Sequence, residues 1–473
     1  MKILIASKNI GKVKEFKKIL ADFNIEFCTL NEFSSVEEPI ETGETLIENA
    51  LIKAKYYFDL FKVPVIADDT GLFIKGLNYE PGVNTARYSG LGDQGNRQKV
   101  LNNLKSDDRS AYFETALIYY DGVNIVSSVG NLFGEISSSE MGNNGFGYDS
   151  IFYVPKYNKT LAELDSDVKN SISHRYNAIK GMAFKLAFMF NQRSHLDFIR
   201  KLIEKVYPDS LLLNVEKLNG GMSNDTYLLE FKDSKKVLRI PGNSADIYVN
   251  RKNELKALNK VKGIDTFIQY EYFDLVTGVK ISPYLEAEAK THDFLMLGKT
   301  LDELHHLGEY EINYRPFSML AYYIRVNKIF GVELSREFTA LYDKVCSFKK
   351  ILESRKTYFC HNDNQISNFI IKDSKYTLIE FEMAGMNDYL FDFACFGNND
   401  LEIGKKALAA LENRPITDEE NKIIEIWYSV QALNWYLVAT FKHVTGMSEQ
   451  LGLNFEEIAT MFLRKAENLL KNY

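Results

Sequence analysis

Short apolar runs alternate with amphipathic stretches over the first third of the chain. Lys2 to Ala6 reads as a buried strand and Ser7-Lys8-Asn9 as the turn after it. Val13 to Phe23 then carries apolar residues at helical spacing (Phe16, Ile19, Leu20, Phe23). A second helix is expected from about Thr45 to Phe61, opened by Thr42-Gly43-Glu44. A buried strand from Val63 to Ala67 follows and ends on Asp68-Asp69-Thr70-Gly71. Strands and helices alternating through polar loops predict an α/β domain. A helical pattern from Asn177 to about Asn191 runs into Gln192-Arg193-Ser194-His195, the most polar interruption nearby. The boundary is expected there, giving a first domain over 1–192 and a second over 196–473.

The second domain opens with a helix, Leu196 to Val206, stopped by Pro208-Asp209. Strand-like stretches follow at Val215 to Lys217 and Tyr227 to Lys232, joined by Asn219-Gly220-Gly221-Met222-Ser223-Asn224. A third, Lys236 to Ile240, ends at Pro241-Gly242, and from about Thr291 the pattern is mostly helical around a strand–loop–strand insert at 357–383. This predicts a small β lobe (about 210–285) and a larger helical lobe (about 290–473). No internal repeat is visible, so the chain reads as a fusion of unlike modules.

Composition changes this picture little. A length of 473 residues calls for two or three domains. A net charge of −7 argues against a large nucleic-acid-binding surface, although a local basic pocket for phosphates is compatible with it. Cys28, Cys346, Cys360 and Cys395 show no CxxC spacing and read as reduced thiols. The first residues are too short an apolar run for a signal peptide, and no stretch approaches the ~18 apolar residues of a membrane span. A soluble, cytoplasmic protein is expected, with neither nucleic acid nor membrane as partner.

Two groups of residues suggest chemistry. Hydrolysis of a nucleoside triphosphate needs a divalent metal, a carboxylate to hold it or to activate water, and basic groups on the phosphates. The first domain offers Asp68, Asp69, Glu41 and Glu44 with Lys12, Lys53, Lys169 and Arg175. Six blocks occur in order: Ser7-Lys8-Asn9-Ile10-Gly11-Lys12; Glu41-Thr42-Gly43 with Glu48-Asn49-Ala50; and Ala67-Asp68-Asp69-Thr70-Gly71-Leu72. Then come Pro81-Gly82 with Ala86-Arg87-Tyr88, Gly145-Phe146-Gly147-Tyr148-Asp149, and Lys169 with Ser173-His174-Arg175. Across nearly the whole first domain this resembles the inosine triphosphate pyrophosphatase family. The resemblance implies a mixed sheet flanked by helices, Mg²⁺ dependence, a homodimer through this domain, and release of pyrophosphate from ITP, dITP and XTP. It implies that Ser7, Asn9 and Lys12 bind phosphate at the first helix N-terminus. Asp69 would be general base and metal ligand, Glu41 a second ligand, and Thr70 a stand-in for the family's serine. Phe146, Gly147, Tyr148 and Asp149 would line the base pocket, with Lys53, Lys169, His174 and Arg175 contacting the nucleotide. Ser150 stands where a proline usually follows.

The second group is His361-Asn362-Asp363 with Asn368, then Glu380 twelve residues further on. Phosphoryl transfer to an alcohol uses an Asp to accept the hydroxyl proton and an Asn to reach Mg²⁺. With 219–224, Val237-Leu238-Arg239-Ile240-Pro241-Gly242, Glu254 and Glu382-Met383-Ala384-Gly385-Met386-Asn387-Asp388, this resembles bacterial choline kinases over roughly 200–470. The resemblance implies an α+β bilobal protein-kinase-like fold with ATP as co-substrate and choline or a related amino alcohol as acceptor. Asp363 would be the base, and Asn368 and Glu380 the ligands of Mg²⁺, with Mn²⁺ as an alternative. ATP would meet Gly221, Ser223, Asn224 and Arg239, with Glu254 pairing Arg239. Glu382 would belong to the choline pocket. Trp427-Tyr428 and Trp435-Tyr436, eight residues apart on one helix, suggest an aromatic box in which Trp427, Trp435 and Tyr436 hold a quaternary ammonium by cation–π attraction. Glu380 replaces the family's Asp, and its extra methylene matters to a strictly octahedral ion. A non-catalytic choline- or nucleotide-binding domain, or a kinase for ethanolamine or an aminoglycoside, therefore stays open.

Overall fold

The computed structural model describes the chain except residues 1, 22, 24, 34–35, 219–223 and 289–291. It divides into two units, Met1–Ile199 with Gly242–Ile247, and Arg200–Pro241 with Tyr248–Tyr473. Among the described residues no helix is long and apolar enough to cross a membrane.

In the first unit the apolar run after Met1 becomes β1 (Lys2–Ile5), parallel to β2 (Glu26–Thr29) and β3 (Val65–Ile74). β3 pairs with β4 (Pro81–Gly82) at its far end and, along its length, with β5 (Ser110–Tyr120). A long hairpin joins β5 to β6 (Ile125–Ile136), and β7 (Phe152–Val154) and β8 (Lys159–Thr160) complete the sheet. The order β2-β1-β3-β5-β6-β7-β8 mixes parallel and antiparallel pairs. Helices α1 (Ile10–Ile19), α2 (Leu46–Phe61), α3 (Gly92–Asn103), α4 (Ser166–Ile172) and α5 (His174–Met189) flank it. One core packs Phe16 and Leu20 of α1 and Ile179, Met182 and Leu186 of α5 on Ile3, Ile5, Ile66 and Leu117 of the sheet.

One expectation fails here. The strand expected to end at Ala67 continues through Asp68-Asp69-Thr70-Gly71 to Ile74. The backbone of the Asp pair stays in register with Leu117 and Ala116 of β5, so the ladder is not broken. Apolar patterning missed this because two adjacent carboxylates inside a sheet are tolerated only when side chains elsewhere in the fold neutralise them.

The chain crosses to the second unit within α6 (His195–Val206). β9 (Leu212–Leu218), β10 (Asn224–Phe231), β11 (Lys235–Pro241), β12 (Tyr272–Phe273) and β13 (Lys280–Pro283) form an antiparallel sheet in the order β12-β13-β11-β10-β9. α7 (Arg251–Lys260) sits between β11 and β12 in the chain, and its N-cap Asn250 accepts the Lys252 and Asn253 N–H groups. The larger lobe contains α8 (Phe294–His305), α9 (Pro316–Ile329) and α10 (Arg336–Glu353). It continues with β14 (Tyr358–Cys360), the hairpin β15 (Phe369–Lys372) and β16 (Lys375–Leu378), and β17 (Gly385–Asn387), which pairs with β14. α11 (Tyr389–Cys395), α12 (Leu401–Glu412), α13 (Asp418–Val444), α14 (Met447–Leu451) and α15 (Phe455–Leu470) close it. Leu297, Leu301, Phe359, Phe391, Phe393 and Trp427 lie in its core.

Candidate active sites

In a strand, successive side chains leave opposite faces, and β3 uses this to give its two aspartates different partners. Asp68 meets Lys12 Nζ of α1 at 2.7 Å and is almost fully buried. Asp69 accepts the Asn49 amide of α2 at 3.0 Å and lies 3.4 Å from Lys53 Nζ, which also contacts Glu41 at 3.0 Å. The two carboxyls are pushed apart electrostatically. Burial would raise Asp68, but Lys12, Arg175 and Lys53 hold it well below the usual carboxylate range. Burial raises Asp69 and prevails over Lys53 and Asn49, with Glu41 and Asp68 adding to the rise. Burial would lower Lys53, but Asp69, Asp68 and Glu41 keep it above its ordinary value.

Around this pair the other expected residues are placed unequally. Ser7 accepts the Asn9 N–H at 3.1 Å. Asn9 Oδ1 caps α1 by accepting the Gly11 and Lys12 N–H groups at 2.9 and 3.2 Å. The N-terminal end of α1 is thus capped by Asn9 itself, and Lys12 Nζ is engaged by Asp68. Thr70 shares a 2.8 Å hydroxyl–hydroxyl hydrogen bond with Thr115. Lys169 bonds Asp149 at 2.7 Å and sits 5.3 Å from the centre of the Phe146 ring. Asp149 also accepts the Phe146 N–H at 2.8 Å. Phe146 is exposed, whereas Tyr148 is buried with its hydroxyl donated to the Thr85 carbonyl, so Tyr148 supports the loop from beneath. His174 stacks on Phe113 at 4.8 Å, and its Nδ1 is buried with no hydrogen-bond partner among the described residues. Burial, with Arg175, Lys12 and Lys169 nearby, keeps that imidazole neutral. Arg175 reaches Glu15 at 3.2 Å. The carboxylates of Glu41 and Asp69 converge on one ammonium, a set of hard oxygen donors that fits Mg²⁺.

The second unit builds its site on Asn362, whose φ of 64° is left-handed. Asn tolerates that conformation better than most residues. Its amide nitrogen donates to the carbonyls of Cys360, Met383 and Gly385 at 3.3, 3.0 and 3.2 Å, and its oxygen accepts the Asn387 amide at 2.9 Å. The loop before Asp363 is thereby tied to the segment that carries Glu380 and Glu382. A second anchor is Asp392 on α11. It accepts the His361 and Asn362 N–H groups at 3.1 and 2.7 Å and contacts His305 at 2.8 Å. His305, Cys360 and Asp392 lie close enough to hold a metal, but the Asp392 oxygens are already used by these backbone groups. Asp363 is left with Oδ1 buried and unpartnered among the described residues, and Asn368 donates to its backbone carbonyl at 2.6 Å. Burial and the Glu382 charge push the Asp363 carboxyl up to about 7, against the Asn368 hydrogen bond.

Several expectations are corrected. Glu254 does not pair with Arg239; it pairs with Lys280 at 2.6 Å and Arg251 at 2.9 Å. The cause is register: Arg239 of β11 and Lys280 of β13 are direct cross-strand partners on one face. Lys280 takes Glu254, while Arg239 contacts Glu380. Glu380 is not in a strand: it follows β16 with a φ of 67° and also lies 3.3 Å from Lys280. Glu382 is engaged by cations, at 2.9 Å from Lys280 and 3.3 Å from Arg251. Burial would raise it, but Lys280, Arg251 and Arg239 hold it down at about 2. Trp427 is core: 1% exposed, it donates its indole N–H to Asp388 at 2.8 Å and packs on Phe317 and Phe391. Trp435 stacks on Phe462 and Tyr436 on Phe338, so the three aromatics do not converge. Gly221 and Ser223 lie outside the described residues, and Asn224 opens β10.

Sequence reasoning gave Arg251 and Asp392 no role and missed Lys280 and the tyrosines Tyr314 and Tyr323, which stand near enough to Asp363 to feel its charge. The one local signal was Lys280, a lone charge between Val279 and Ile281.

Residues 3–185 match the Ham1 family, and residues 214–421 match the phosphotransferase enzyme family. The chain is 44% identical over 192 residues to the dITP/XTP pyrophosphatase of Listeria monocytogenes serotype 4b, covering 39% of this chain and 95% of that protein. It is 45% identical over 185 residues to the dITP/XTP pyrophosphatase of Oceanobacillus iheyensis, covering 38% and 94%. Among solved structures it is similar to choline kinase LicA from Streptococcus pneumoniae, at 23% identity and a TM-score of 0.49, covering 59% of this chain and 100% of that one. The chain therefore belongs to the Ham1 family through its first unit, and the region that follows matches the phosphotransferase enzyme family.

Proposed function

We propose that the chain carries two activities, hydrolysis of dITP, XTP and ITP to the monophosphate and pyrophosphate, and ATP-dependent phosphorylation of choline or a related amino alcohol. The observation that carries the first is the geometry of the adjacent carboxyls, Asp68 held by Lys12 and Asp69 facing Glu41 across Lys53. Asp68 stays an anion that fixes Lys12, while Asp69, with its raised affinity for a proton, is fitted to be the base. Asp69 takes a proton from water as the water oxygen bonds to phosphorus and the bond to the departing pyrophosphate breaks. Lys12 and Lys53 meet the phosphates. Glu41 and Asp69 would hold Mg²⁺, which when bound neutralises phosphate charge. Phe146 offers a stacking face. Lys169 is a donor for a 6-oxo group, so adenine's amino group would leave that donor unpaired. Two curated relatives bearing the name dITP/XTP pyrophosphatase at 44–45% identity support this reading.

In the second unit Asp363, raised to about 7, accepts the acceptor hydroxyl proton, and Asn368 with Glu380 would hold the metal. Tyr314 and Tyr323, whose phenols feel the Asp363 charge, offer aromatic surfaces on which an ammonium group can rest. The Arg239 and Lys280 contacts of Glu380 favour a second reading, a domain that binds nucleotide without transferring phosphate. Intact chain and its Asp363→Asn variant, incubated with ATP, Mg²⁺ and choline, ethanolamine or an aminoglycoside, separate the two. Phosphocholine formed by the wild type and lost in the variant is expected. ATP bound with no alcohol phosphorylated would establish the second reading.

A further inference from the structure

The loop at 145–150 has two glycines in left-handed conformations, Gly145 at φ 88° and Gly147 at φ 61°, and glycine gives a backbone little resistance to changing shape. Its geometry is instead imposed from α3. The Gly147 N–H donates to Asp93 at 2.9 Å, and the Gly147 carbonyl accepts Arg97 Nη1 at 2.8 Å. Asp93 and Arg97 stand four residues apart, on one face of the helix, so the two peptide groups that flank the Gly147 Cα are each held by one side chain. Arg97 Nε in turn donates to Glu140 Oε2 at 2.8 Å, and that same oxygen accepts the Ser150 hydroxyl at 3.0 Å. Gln98 completes the set by donating to Glu140 Oε1 at 3.2 Å. None of these side chains touches the carboxylates of β3.

We propose that Arg97, Glu140 and Ser150 are positioning residues for the purine pocket, a charged clamp that fixes the 146–149 segment in the shape that receives the base. The inference rests on the reading of Phe146 to Asp149 as that pocket. Charge-assisted hydrogen bonds are about twice as strong as neutral ones, and one Glu140 oxygen links Arg97, which holds Gly147, to Ser150 at the end of the loop. The clamp acts on substrate affinity and leaves the water-activating carboxylates alone. Arg97→Ala therefore lowers the fraction of chains whose loop is ready to bind, and the apparent affinity falls by that fraction.

The test is steady-state pyrophosphate release from XTP by the intact chain. Arg97→Ala is expected to raise KM about tenfold and to leave kcat within about twofold. A proline at position 150 fixes one backbone angle of the loop covalently, and among the described residues the Ser150 N–H donates to no backbone acceptor. In the Ser150→Pro background the same Arg97→Ala step is therefore expected to raise KM by less than about threefold. Glu140→Gln, which preserves volume, is expected to raise KM with kcat unchanged and serves if the proline variant does not fold. A wild-type KM in both Arg97→Ala and Glu140→Gln overturns the clamp, as does an equal Arg97→Ala penalty in both backgrounds. Phe146→Ala separates the two levels. If it raises KM while Arg97→Ala does not, only the clamp falls. If it leaves KM unchanged, the pocket reading falls and the clamp with it.

Discussion

Replacing Asn362 probes how the loop that carries Asp363 is held. The residue is 2% exposed and combines a left-handed backbone with one accepted and three donated side-chain contacts. Asn362→Gly keeps the backbone at ease and removes only the side chain. Two amide protons are shared among three carbonyls, so the loss is two hydrogen bonds given, one received, and an Asn387 amide left without that partner. At about 1 kcal/mol for each net bond, this amounts to about 2–4 kcal/mol. Asn362→Ala loses the same contacts and adds the cost of a β-carbon at positive φ, about 1–2 kcal/mol. The chain supplies its own reporter, because its two tryptophans, Trp427 and Trp435, both belong to the second unit. Urea unfolding followed by tryptophan fluorescence thus reads that unit. With a slope of about 3 kcal/mol per molar, the glycine variant should unfold about 1 M earlier than wild type, and the alanine variant earlier again. A glycine variant within about 0.5 kcal/mol of wild type would refute the hydrogen-bond argument. An alanine variant as stable as glycine would refute the backbone argument.

Trp427→Phe should cost about 1.5–3 kcal/mol by taking a hydrogen bond from the Asp388 carboxylate, while the KM for choline stays put; a raised KM with unchanged stability would return this residue to the acceptor pocket. Lys280→Met leaves Glu254 and Glu382 to share Arg251 in a buried setting and should cost more than Arg239→Met, whose side chain is 20% exposed. Equal losses in urea melts would contradict the assignment of Lys280 as the partner of Glu254. Phosphoryl transfer should be slow in acid and rise with pH through about 7, because Asp363 must be ionised to accept a proton. Glu382→Gln removes a like charge that opposes that ionisation, so the acid limb should move to lower pH. A limb that stays in place would show that Glu382 does not set it.

Local pattern was enough for features that depend on near neighbours in the chain. The apolar spacing of Phe16, Ile19 and Leu20 reads directly as a helix against a sheet, and the helix expected from about Thr45 starts at Leu46, one residue past its N-cap Thr45. The ordered polar blocks also carried the pairing of Asp69 with Glu41 around Lys53, because those segments meet in one place. What stayed hidden depends on register and on distant partners. That β3 runs through Asp68 and Asp69 is invisible until Lys12, Asn49 and Lys53 are seen to neutralise them. Arg239 and Lys280 are forty-one positions apart and meet only because β11 and β13 align them. Trp427 and Trp435 share a helix, yet one is claimed by Asp388 and the other by Phe462, a distinction that helical periodicity does not contain.

The central claim is that the first unit cleaves purine nucleoside triphosphates with Asp69 as base. The direct measurement is pyrophosphate release by the intact chain and by its Asp69→Asn variant, with XTP, dITP and ATP compared at one concentration. The account predicts pyrophosphate and monophosphate from XTP and dITP, little from ATP, and a loss of at least about a hundredfold in kcat for the variant with the fold intact. Orthophosphate as the product, or an Asp69→Asn variant that works at the wild-type rate, would contradict it.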